Sequence, residues 1–178
     1  MHYDGETLSG FGPADGLAGA RPMQVYGDAD GAVWYAGYGV GVSRLSGSRT
    51  ETYTAADGLP HDEVILLYRD QSGQLWIGTH GGVCRFDGES FHVITTEDGL
   101  VSNDVHAIFQ DRSGVLWFGT DGGGISLYDG QVFQTLTEED GLASNVVMSI
   151  LEDTDGAVWV ATNRGMTRFR RPEATAPE

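Results

Sequence analysis

Short apolar runs, each closed by Asp, Gly or Ser, follow one another along the whole chain. Their length and their β-branched and aromatic content predict strands rather than helices. Four strands recur in a fixed order. The first is expected at Met23–Asp28, Val64–Asp70, Val105–Asp111 and Val147–Asp153, the second at Ala32–Gly37, Gln74–Thr79, Val115–Thr120 and Ala157–Thr162. The third follows at Val42–Leu45, Val83–Phe86, Ile125–Tyr128 and Met166–Phe169, and the fourth, outer strand at Thr50–Tyr53, Ser90–Ile94 and Gln131–Leu136. Between the first two lie Asp28–Gly31, Asp70–Gly73, Asp111–Gly114 and Asp153–Gly156, hairpin turns in which Asp or Ser caps the backbone and Gly takes positive φ.

The pattern repeats with a fixed period. Asp-Gly-Leu triplets begin at Asp15, Asp57, Asp98 and Asp140, spaced by 42, 41 and 42 residues, and the four tryptophans, Trp34, Trp76, Trp117 and Trp159, each lie 19 residues after one of them. A repeat of this length built only of short strands predicts an all-β protein, a β-propeller of four four-stranded blades. Repeats are placed at about 15–54, 57–95, 98–137 and 140–171, inside a propeller domain over 1–171 followed by a flexible tail at 172–178. Tyr3-Asp4-Gly5 matches Tyr128-Asp129-Gly130, so the chain opens with an outer strand at about 6–12, whereas the last blade stops after its third strand. Pairing the two would close the ring and remove both sheet edges. The alternatives are an eight-blade ring shared by two chains, or a fragment of a larger propeller.

Composition narrows the partners. The 178 residues carry 26 acidic side chains against ten basic ones, all arginine, for a net charge of −16. So acidic a surface repels phosphate backbones and anionic membrane, which leaves nucleic acid out and points to cations or neutral ligands such as sugars. There is no apolar run long enough to span a membrane and no signal peptide at the N-terminus. The single cysteine, Cys84, falls in a strand and reads as a buried small apolar residue.

The motif Asp-Gly-Leu-x-Ser-Asn-x-Val, followed by Asp-x-Ser-Gly-x-Leu-Trp-(Ile/Phe)-Gly-Thr-x-Gly-Gly, resembles the two-component regulator propeller repeat, most closely over Asp98–Gly123 and Asp57–Gly82. The first repeat departs at Ala36-Gly37 and Ala20-Arg21, the last at Ala161-Thr162 and Arg164. The resemblance implies a non-catalytic sensory module of a bacterial signalling protein, periplasmic or extracellular, with its kinase and receiver domains absent from this chain. It also implies recognition of a small molecule or oligosaccharide and no cofactor. A structural or protein-binding propeller is the competing reading. A third is an enzyme: streptogramin lyases share the Asp-x-x-Gly-x-x-Trp cadence, and His80, His106 and Asp121 would supply the base.

In a propeller, the loops between blades and those between second and third strands emerge on one face, the usual ligand site. Here they place His61, Asp62, Asn103, Asp104 and Asn145 beside Tyr38, His80, Asp121, Asn163 and Arg164. The residue four after each tryptophan is Tyr38, His80, Asp121 or Asn163, different each time. Scaffold positions should repeat, whereas a site for an asymmetric ligand should not. Three features read as structural. The tryptophans are expected to pack between blades. Asp15, Asp57, Asp98 and Asp140 are expected to cap their own turns rather than ring a cation. His61, His80 and His106 with Asp62, Asp104 and Asp121 lack the tight spacing of metal ligands and are expected to form a solvated polar face, with no metal.

Overall fold

The structure, a computed structural model, describes residues 2–3, 8–10, 12 and 21–170. After two short strands, β1 (His2–Tyr3) and β2 (Leu8–Ser9), come three antiparallel sheets of four strands and one of three. The first blade is β3 (Pro22–Gly27), β4 (Val33–Gly37), β5 (Gly41–Ser46) and β6 (Arg49–Tyr53). The second is β7 (Val64–Arg69), β8 (Leu75–Thr79), β9 (Gly82–Phe86) and β10 (Phe91–Ile94). The third is β11 (Val105–Gln110), β12 (Leu116–Thr120), β13 (Ile125–Tyr128) and β14 (Phe133–Leu136). The fourth is β15 (Val147–Glu152), β16 (Val158–Thr162) and β17 (Gly165–Phe169). Every expected strand between residues 22 and 169 is present, with ends displaced by a residue or two. This is an all-β propeller architecture, and among the described residues its helical content is limited to single 3-10 turns such as Ala55–Asp57 and Glu138–Asp140.

One side chain organises each hairpin. In the last three blades one oxygen of the turn aspartate accepts two backbone amides of its own turn, and in the first Asp28 accepts that of Ala29. In all four the second oxygen accepts the tryptophan indole N–H, in Asp28–Trp34 at 3.1 Å and in Asp70–Trp76, Asp111–Trp117 and Asp153–Trp159 at 2.8 Å. The indole then packs on the next blade: Trp34 meets Phe86 with ring centroids 5.5 Å apart, Trp76 meets Phe118 at 5.5 Å and Trp117 meets Phe169 at 6.0 Å. Among the described residues no further blade follows Trp159, and the Arg168 guanidinium covers its ring at 5.1 Å. Three of the four tryptophans therefore fill wedges between blades, as the sequence predicts.

The Asp-Gly-Leu triplets are equally structural. Asp57, Asp98 and Asp140 each accept from the backbone amide and hydroxyl of the threonine three residues earlier. Their leucines, Leu59, Leu100 and Leu142, are buried. Asp15 lies outside the described residues. Glycine permits close approach between blades: a Cβ on Gly119 would come within 2.4 Å of Val147 Cγ1 of the fourth blade.

The inner strands stack in sequence, β3 on β7, β7 on β11 and β11 on β15. Strands β8 and β12 are buried along their whole length, because both faces of the middle blades are covered, whereas β4 and β16 are partly open. Val25 in the first blade is 60% exposed although its counterparts Leu67, Ile108 and Ile150 are buried, and Leu151 in the last is 53% exposed. Ring closure is not shown. The expected outer strand at about 6–12 falls partly outside the described residues. Its visible part, Leu8–Ser9, pairs with His2–Tyr3, and β17 has β16 as its one sheet partner among the described residues. The tail at 172–178 is likewise outside the described residues.

Candidate functional site

Four equivalent backbone hydrogen bonds build the loop face. The amides of Tyr38, His80, Asp121 and Asn163 donate to the carbonyls of Arg21, Glu63, Asp104 and Val146, the residue just before the first strand of each blade, or at its threshold. The side chains in these two columns differ in every blade. In the first three blades they converge.

At the centre is His80. Its Nδ1 lies 2.6 Å from Asp104 Oδ1 of the next blade, and its Nε2 is 4.0 Å from Glu63 Oε2. His106 Nε2 approaches the same Asp104 oxygen at 3.0 Å. Three rings surround that of His80: Tyr38 at 5.8 Å, His106 at 5.6 Å and His61 at 6.5 Å, all nearly perpendicular. The Arg21 guanidinium sits 5.2 Å from the Tyr38 ring centre. Glu63 stands between His61 and His80, 3.9 Å from His61 Nδ1, which itself accepts the Glu63 backbone amide at 3.0 Å. The phenol of Tyr38 is held above its ordinary pKa, chiefly by the negative charge of Glu63 and then by desolvation.

The backbone explains why His106 points here. Each inner strand has a one-residue irregularity near its start, and the residue passed over is Met23, Ile65, His106 or Met148. Such a bulge re-aims one side chain. Three blades place an apolar residue there and the third places an imidazole.

The remaining expected site residues are placed differently. Asp62, Asn103 and Asn145 occupy one repeated position, and the Oδ1 of each accepts a backbone amide at the start of its own loop, from Ala55, Thr96 and Glu138 at 2.7, 2.8 and 2.8 Å. That repetition marks a loop clamp. Asp121 and Asn163 are exposed, and Arg164 faces Glu138 at 4.0 Å in the fourth blade. Of the ten residues expected from sequence, the structure gathers Tyr38, His61, His80 and Asp104 and adds Arg21, Glu63 and His106. Glu63 was legible as one member of a varying column. His106 was legible as the one polar residue among Met23, Ile65 and Met148.

The larger clefts lie elsewhere. Spaces of about 480 and 490 Å³ open between the first and second and between the second and third blades, at the end that carries the Asp-x-x-Gly turns. Both lie at the tryptophan seam, so they are properties of blade packing and not the site where blades differ.

The fold and its repeats define a β-propeller domain. Residues 58–81, 99–122 and 141–164 each match the model of the two component regulator propeller. No curated protein matches the chain. Among solved structures, the extracellular domain of the hybrid two component system BT3049 from B. thetaiotaomicron is 27% identical, with a TM-score of 0.73 over 86% of this chain and 22% of that one. That of BT4673 from the same organism is 25% identical, with a TM-score of 0.74 over 84% and 24%. The chain thus spans about a quarter of the length of these extracellular domains. A streptogramin B lyase shares the fold at 16% identity and a TM-score of 0.61.

Proposed function

We propose that the chain is a non-catalytic, ligand-sensing propeller segment of a bacterial signalling protein, working outside the cytoplasmic membrane. The ligand is a small molecule or oligosaccharide held at the loop face. The observation that carries this is the convergence of Tyr38, His61, Glu63, His80, Asp104 and His106 from three consecutive blades, at columns whose residues change from blade to blade while the scaffold around them repeats. A polar rim in which His61 is exposed and the rings of Tyr38, His80 and His106 are half-buried suits a neutral hydroxylated ligand. The likeness to extracellular sensor domains supports the location and the absence of catalysis. The charge of −16 argues against nucleic acid. The reading includes a second copy as partner, because the sheet faces around Val25 and Leu151 are those that the middle blades bury against each other.

A thermal-shift screen of the purified chain against a panel of oligosaccharides tests the ligand. A native-state binder must raise the melting temperature, and Tyr38→Ala or His80→Ala should remove that rise. A flat response across the panel, or one indifferent to both substitutions, refutes the reading. Light scattering tests the partner: a discrete dimer supports it and a monodisperse monomer removes it.

A further inference from the structure

We propose that His80, Asp104 and His106 form a binding site for a divalent transition ion of the zinc class. One ligand atom from each side chain lies within 4.8 Å of the others. Asp104 Oδ1 already stands 2.6 Å from His80 Nδ1 and 3.0 Å from His106 Nε2. With metal–ligand bonds of about 2.0–2.2 Å, tetrahedral ligand atoms sit roughly 3.3–3.6 Å apart, so these two pairs need open by about 1 Å or less. The two imidazole nitrogens, within 4.8 Å of each other, must take up the same spacing. Two imidazole nitrogens and one carboxylate oxygen match zinc, copper or nickel, whereas magnesium and calcium take shells of oxygen. Three protein ligands leave a fourth position for water or an exchangeable donor.

The surroundings fit the same assignment. The His80 nitrogen turned away from Asp104 faces the Glu63 carboxylate at 4.0 Å. That is an electrostatic contact and not a hydrogen bond; closing by about 1 Å would make it one, and a carboxylate so bonded fixes the tautomer of a ligating histidine and strengthens it as a donor. All three ligands stand on constrained backbone. The His80 amide is bonded to Glu63 O, and the turn after it is tied by Thr79 Oγ1, which accepts from Gly81 N at 3.0 Å. Asp104 leads directly into β11, and His106 is its bulge residue. The ligands come from two blades, so a bound ion would cross-link the second to the third. The inference stands apart from the ligand reading, since an ion can occupy these side chains whether or not an organic molecule binds.

The test uses the whole chain, stripped of metal by a chelator and titrated with Co²⁺ as a spectroscopic probe and Zn²⁺ as competitor. One equivalent of Co²⁺ should produce visible absorption that Zn²⁺ bleaches. Zn²⁺ at a hundredfold excess over its Kd should raise the melting temperature by roughly 5–10 °C, and Mg²⁺ should not. Glu63→Gln should weaken binding roughly 10–100-fold. Asp104→Asn and His106→Ile should each weaken it by at least as much, and the latter installs the residue that the second blade carries at the same bulge, so the fold is preserved. His92→Ala should change nothing, because His92 pairs with Asp87 on another strand. No absorption beyond free Co²⁺ overturns the proposal. So does binding that survives both Asp104→Asn and His106→Ile, which would place the ion elsewhere on the acidic surface.

Discussion

Removal of the Asp111 carboxylate asks whether the turn aspartate, and not indole bulk alone, holds a blade together. Asp111 is buried; its Oδ1 accepts from the amides of Ser113 at 2.9 Å and Val115 at 3.1 Å and from the Ser113 hydroxyl, and its Oδ2 accepts from Trp117 Nε1 at 2.8 Å. In Asp111→Ala the indole N–H stays buried without an acceptor, which costs about 1–3 kcal/mol. The turn loses charge-assisted hydrogen bonds of about 1.5–3 kcal/mol, partly recovered because Ser113 is exposed and water can replace the carboxylate there. A total of about 3–5 kcal/mol is expected, a large share of the ~5–15 kcal/mol that stabilises a domain. For a chain of this size that lowers the melting temperature by about 10 °C or more. Asp111→Asn keeps the shape but turns an N–H₂ toward one of the two donor sets, so its loss should fall in between. The assay is thermal and urea unfolding followed by tryptophan fluorescence and far-ultraviolet circular dichroism, with Trp117→Phe as the second arm of a double-mutant cycle. Once the indole N–H is gone, Asp111→Ala should cost less by about 1–3 kcal/mol. An equal cost in both backgrounds, or a loss below about 1 kcal/mol in the wild type, would refute the reasoning.

Acid should destabilise the protein through the aspartates of both kinds of hairpin turn. The Asp153 carboxyl is pulled from 3.8 down to about 2, first by the Trp159 indole N–H and then by the Ala157 amide, and the amides of their own turns hold Asp87 and Asp129 low as well. Folded values below unfolded ones stabilise the native state above about pH 4 and lose that contribution as pH falls toward 2, so melting temperatures across pH 2–6 should be level and then drop; a level profile throughout contradicts this. Gly119→Ala should destabilise by about 1–3 kcal/mol, since its Cβ meets Val147 Cγ1 at 2.4 Å and backbone or side chain must shift. A neutral result in thermal melts would show that the blade spacing adapts. Burial pushes the Cys84 thiol up to about 12, so an aromatic disulfide reagent at pH 8 should react in denaturant but not with the native protein, and rapid native labelling would count against a buried site.

The site was less legible than the scaffold, for a physical reason. Asp62, Asn103 and Asn145 look like ligand residues in a list of polar loop side chains, yet each spends an oxygen on its own loop amide. Nothing in residue type separates such a clamp from a free donor; the repetition of the position does. Glu63 and His106 carry the opposite signature: the Glu63 position is elsewhere Arg21, Asp104 and Val146, and the His106 position Met23, Ile65 and Met148. Self-alignment of the repeats held that information, and the projection of His106 needed the bulge to be seen.

Sequence by itself determined the blade. Strand order, the Asp–Trp pairing across each hairpin and the capped Asp-Gly-Leu turns are all local, linking residues a few positions apart, so a 42-residue pattern is enough to specify them. Tertiary structure alone decided what depends on the angle between blades. That angle brings His80 of one blade onto Asp104 and His106 of the next, and it leaves Val25 of the first blade and Leu151 of the fourth exposed. Curvature is the sum of many side-chain volumes at the seams, and no single residue or spacing encodes it.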